Sequence, residues 1–162
     1  MPAPRNHHHK FMMKYGTADH IHQVLDVIDP DMHTAHTLKD ALGRNPNYNR
    51  SHVDKMLAHP NERVRQAAFD LGHHITDEDM TKHVVEPSMR VRGAVLENSW
   101  NPAHFEAFIR HPKVSGTNAK WALRMAGDKG ILTTAMGDAA LQHPDPDVRD
   151  AGIQHALYMR TK

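Results

Sequence analysis

HPNERVRQAAFDLG, residues 59–72, is the stretch on which the fold turns. A His59–Pro60 turn leads into apolar residues at Val64, Ala67, Ala68 and Leu71, the spacing of one face of an α-helix. The frame recurs as EPSMRVRGAV (86–95) and HPDPDVRDAG (143–152). Working outward, turn prolines stand at Pro30, Pro60, Pro87, Pro112 and Pro144, spaced 30, 27, 25 and 32 residues apart. Apolar pairs close the helix before each one: Val27–Ile28, Met56–Leu57, Val84–Val85, Phe108–Ile109 and Ala140–Leu141. A helix pair this short cannot bury its own stripe, so neighbouring pairs must stack. The sequence predicts an all-α chain of about five antiparallel helix pairs, in units near 17–43, 51–72, 76–99, 101–127 and 128–160.

Local signals fix the ends of these helices. Ser51 with Asp54 reads as a capping box, Thr76 as an N-cap, and Asn101–Pro102 and Asp145–Pro146 as caps followed by proline at the first helical position. Gly43 and Gly127 read as helix ends. Residues 1–16 read as a flexible basic arm, with Phe11, Met12 and Met13 available to fold back over the first unit. Residues 17–162 read as a single domain.

Composition narrows the function classes. Lys plus Arg total 20 and Asp plus Glu 19, mixed along the chain, so no overall field draws in nucleic acid. With no cysteine there is neither disulfide nor thiolate metal site, which suits a reducing, cytoplasmic setting. No apolar run reaches the ~20 residues that span a bilayer, and Met1–Lys14 lacks the apolar core of a signal peptide, so no membrane partner is expected. Sixteen histidines imply a rise in net charge below about pH 6.5.

His59–Ala68, Glu86–Val95 and His143–Gly152, with NPNYNRSHVDKMLAHP (45–60), resemble HEAT-type repeats, including the short, irregular ones of some bacterial and bacteriophage proteins. The resemblance covers about residues 17–160. It departs at Ala35–His36 and Ala119–Lys120, which stand where Val–Arg would be. It implies a right-handed α-solenoid whose second helices line a concave side, and binding rather than catalysis.

On the second helices, Arg65, Arg92, Lys120 and Arg149 share a slot about 100° from the core centre. From there they can bond to loop carbonyls or to acids of the adjoining unit, as a structural ladder. Phe69, Leu96 and Ile153 share another slot, suited to contact between repeats. The expected partner-binding row is Arg63, Gln66, Asp70, Arg90, Glu97, Trp121, Arg124, Asp150 and Gln154. Its alternating charges suit a protein better than a phosphate backbone. Trp121, beside Lys120 and Arg124, is a candidate hot spot or base-stacking platform, or else packs on a neighbouring unit; Trp100 reads as a packing residue. His59, His111 and His143 precede turn prolines, where an imidazole can cap a helix carbonyl. At one repeat of separation, roughly 10 Å, they cannot share a metal ion. No zinc-protease, phosphate-loop or nucleophile-elbow motif is present, so no catalytic residue, metal or cofactor is expected.

The expected function is a non-enzymatic protein–protein interaction module that works through the concave surface. The alternatives are nucleic-acid binding in a basic groove, helped by the arm with Arg63, Arg90, Lys120 and Arg124, and a structural or self-assembling role. Leu157 and Tyr158 lie off the inward stripe of the last helix, so homo-oligomers through terminal units are a further expectation.

Overall fold

The structure, a computed structural model, describes residues 2–31 and 33–161, with side chains from His8 onward. The described residues form eleven α-helices and no strand. In order these are α1 (Pro2–Tyr15), α2 (Ala18–Val27), α3 (Thr34–Leu42), α4 (Arg50–Leu57), α5 (Glu62–Leu71) and α6 (Asp77–His83). There follow α7 (Met89–Asn98), α8 (Pro102–Arg110), α9 (Gly116–Asp128), α10 (Thr134–Leu141) and α11 (Pro146–Arg160). Among them none is long and apolar enough to cross a membrane. By its internal contacts the chain divides into two compact units: Met1–Asp79 with Ser88–Ala94, and Met80–Pro87 with Val95–Lys162.

In the first unit, α4 packs on α5, α2 packs on α4, and α3 packs on α5. First helices thus touch first helices and second helices touch second helices, a repeat-like arrangement. Ile21, Val24, Leu25, Leu38, Leu42, Val53, Met56 and Val64 form one buried cluster between them. The segment expected as an arm is the helix α1, which packs on α2 and α3 and buries Met13 in that cluster; Phe11 stays exposed. Asn45 secures the connection, its Nδ2 donating to Met13 O (2.8 Å) and Gly16 O (3.1 Å).

The second unit repeats the pattern with α8 on α9, α10 on α11, α8 on α10 and α9 on α11. Phe105, Phe108, Ile109, Ala122, Ala126, Met136, Ala140 and Val148 are buried there. Small residues let α10 and α11 approach closely. A Cβ on Gly137 would stand 2.2 Å from the His155 ring, and one on Gly152 would stand 2.8 Å from Leu141 N.

Several helix ends differ from expectation. Asn49, not Ser51, caps α4, because its Oδ1 accepts the Ser51 N–H (2.9 Å) and His52 Nδ1 accepts the Asn49 N–H (2.9 Å). The second apolar residue before the turn is exposed at Val85 and Leu141. Helix α9 runs past Gly127 to Asp128, and Gly130 takes the left-handed turn at φ 72°.

His52 is a load point of the first unit. Its Nε2 donates to Ala18 O (2.9 Å) at the start of α2, and its Nδ1 is already an acceptor, so the ring is neutral and fully buried. Burial holds its pKa below the usual histidine value, outweighing the opposing hydrogen bond to Ala18 O, and Lys55 adds to the lowering. His59 is lowered too, by burial and then by Arg65. The unfolded chain therefore binds more protons below about pH 6.5, and stability present above that pH is lost as pH falls. Chemical denaturation at about pH 7.5 and 5.5 should show the drop. His52→Leu should lower stability by about 2 kcal/mol at the higher pH and flatten the dependence.

Candidate functional site

The recurring turn organises both units. In His59–Arg65, His59 Nδ1 accepts the Asn61 N–H (3.0 Å), and Asn61 Oδ1 accepts the Arg63 N–H (2.8 Å). Arg65 reaches back to His59 O (2.9 Å) and Pro60 O (3.0 Å). His143–Arg149 makes the same set, with His143 Nδ1 to Asp145 N–H at 3.1 Å and Asp145 Oδ1 to Asp147 N–H at 2.9 Å. Arg149 meets His143 O at 2.9 Å and Pro144 O at 2.8 Å. These guanidiniums clamp the turn of their own unit. The histidines accept turn amides through Nδ1. His111 does likewise with the Lys113 N–H (3.1 Å), and His143 Nε2 donates to His111 O (2.9 Å), joining successive turns of the second unit.

The other two members of the slot differ. Arg92 is buried, with Nη2 3.6 Å from Met89 Sδ. Lys120 is exposed, because the longer turn of its unit starts α9 at the N-cap Ser115.

Lys120 instead borders a groove between α9 and α11 of about 390 Å³. Leu123, Leu132 and Ala151 supply its apolar lining, while Lys120, Arg124, Asp128, Gln154, His155 and Tyr158 supply polar groups. Two of the expected partner-binding residues, Arg124 and Gln154, thus meet in one place. Trp121 lies outside the groove lining, half-buried with its ring edge-on to Phe108 at 6.0 Å between centroids. Asp150 is exposed elsewhere on α11, and Glu97 is exposed near the end of α7.

In the first unit, Arg63, Gln66 and Asp70 are half-buried on α5, with Arg63 and Asp70 already engaged within the chain. Gln66 Oε1 is buried without a hydrogen-bond partner among the described residues. Arg90 is exposed and lies 3.4 Å from Glu62, whose other oxygen accepts the Ser88 hydroxyl at 2.5 Å. The Ser88 hydrogen bond, then the charge of Arg90, holds the Glu62 carboxyl below the usual range.

Two features escape sequence reasoning. Trp100, expected to pack, is 67% exposed, and the Lys129 ammonium lies 4.8 Å from its ring centre. Lys129 also donates to Leu96 O (2.9 Å), Glu97 O (2.8 Å) and Ser99 O (2.6 Å), using its three N–H groups on the end of α7. The second is Ser99, whose hydroxyl lies 2.6 Å from His104 Nδ1 and accepts the Asn101 N–H (3.1 Å). Both residues are buried, so this Ser–His pair stabilises the start of α8 and presents no nucleophile to solvent.

Among the described residues, no group of three or more His, Asp or Glu side chains converges as a metal site. The His7 side chain of the 7–9 run lies outside the described residues. Comparison with family models, curated proteins and solved structures finds no match.

The contrast within one slot is testable by urea denaturation. Arg149→Ala should cost about 1–2 kcal/mol through its two carbonyl bonds, and Lys120→Ala less than about 0.5 kcal/mol. Lys129→Met should cost about 2–3 kcal/mol, because three carbonyls lose a charged donor.

Proposed function

We propose that the chain is a HEAT-like α-solenoid interaction module, without catalytic activity, that holds a segment of another protein in the α9–α11 groove. The groove carries the reading. It joins an apolar lining to the cations of Lys120 and Arg124, which outnumber the single acid Asp128, and to the polar ends of Gln154 and Tyr158, the anatomy of a binding patch with an anchor pocket and a polar rim. Its mechanism is shape complementarity, with the two cations selecting a segment that sets acidic residues beside an apolar anchor. The contacts of first helix with first helix and second with second, and the repeated His-Pro turn, support the HEAT-like assignment. In that family the second helices line the concave side, where α9 and α11 would fall.

A nucleic-acid reading is favoured by a different observation. Helix α1 carries Arg5, Lys10 and Lys14 and no acid, and exposes the rings of Phe11 and Tyr15, 5.1 Å apart.

Selection of the chain against a random peptide library should enrich an apolar residue flanked by acids. Arg124→Glu should weaken the selected peptide at least about tenfold, the effect of reversing a contact charge. Absence of enrichment, or binding indifferent to that substitution, would count against the groove. A gel shift at about 50 mM salt that disappears at higher salt would move the assignment to nucleic acid.

A further inference from the structure

The outer face of α11 carries a pattern that the groove does not use. Asp150, Ile153, Leu157 and Arg160 fall in one sector of the helix, opposite the buried Val148, Ala151, Gly152 and His155. All four are exposed, Ile153 by 49% and Leu157 by 56%. The solvent pole of a helix ordinarily carries polar groups, and here it carries two large aliphatic side chains one turn apart. Ile153 also shares its repeat slot with Phe69 and Leu96, both 0% exposed. The fold covers that slot elsewhere and leaves it bare here. Neither Asp150 nor Arg160 forms an ion pair among the described residues.

The four positions are symmetric about residue 155, with acid at one end, base at the other and aliphatics between. Symmetry of that kind is what an isologous contact needs. Antiparallel pairing of two copies of α11 about a two-fold axis sets Ile153 against the partner's Leu157 and Asp150 against the partner's Arg160. Parallel pairing would set like charges together and is disfavoured.

We propose that this face binds a second copy of the chain, α11 against α11, antiparallel and two-fold symmetric. The patch is about 15 Å long at 1.5 Å per residue. One helix face falls short of the ~1,000 Å² of a lasting interface, so the dimer is weak and reversible, with a dissociation constant on the order of 10–100 µM.

Sedimentation equilibrium on the full chain, from about 5 µM to about 1 mM, brackets that constant. The wild type should show reversible monomer–dimer exchange, and Leu157→Asp should be monomeric throughout. Asp150→Arg, which places two cations together at each end, should weaken pairing by about tenfold. The double variant Asp150→Arg/Arg160→Asp should restore pairing to within about threefold of wild type, because the swapped charges again face their opposites. These residues are exposed, and thermal melts by circular dichroism confirm that each variant is folded. The charge pair gives an independent answer if Leu157→Asp is not. A wild type that stays monomeric at about 1 mM assigns the face to a different occupant and overturns the proposal. A dimer indifferent to Leu157→Asp, or a double variant without rescue, overturns it as well.

Discussion

In three of the five helix pairs the turn is built on an imidazole that accepts a backbone amide through Nδ1. Proline removes one amide from the turn and fixes its φ, which leaves the following N–H in need of an acceptor. His59, His111 and His143 each supply Nδ1 to it. That bond requires the ring to be unprotonated on Nδ1. It holds the backbone of the turn that leads into the second helix. Arg65 and Arg149 complete the turn by drawing its carbonyls onto the first turn of the second helix. In the second unit the turns are also joined to each other through His143 Nε2 and His111 O.

Where the clamp is missing, the surface changes character. The unit containing α8 and α9 has a longer turn, and Lys120 stands in the arginine slot without a carbonyl to hold. Its ammonium is therefore available to the α9–α11 groove, beside Arg124. Lys120 and Arg124 together carry the positive charge of the proposed binding site, beside the acid Asp128. In the same compact unit Lys129 closes the end of α7 with three bonds, its ammonium over the Trp100 ring.

The helix pairs were legible in the sequence because their causes are local. Proline positions and the spacing of Val64, Ala67, Ala68 and Leu71 act within one turn of chain, and the helices lie where these signals place them. What depended on distant atoms was not legible. The choice of Asn49 over Ser51 as the cap of α4 rests on His52, whose other nitrogen is held by Ala18 O. The docking of α1 rests on Met13 finding the cluster of α2 and α3, and on Asn45 bonding back to its end. Trp100 and Trp121 carry no local mark that tells the exposed ring from the one packed on Phe108. Lys129 meets carbonyls about 30 residues earlier, beyond the reach of any periodicity. Of the expected binding row, Arg124 and Gln154 come together, while Arg63 and Asp70 are engaged within the chain.

The tautomer of the turn histidines can be observed directly. Nitrogen-15 NMR of histidine-labelled chain at about pH 7.5 distinguishes the two neutral tautomers from the protonated ring. His59, His111 and His143 should carry the proton on Nε2 and show the shift of an Nδ1 that accepts a hydrogen bond. Protonated rings, or a proton on Nδ1, would contradict that assignment.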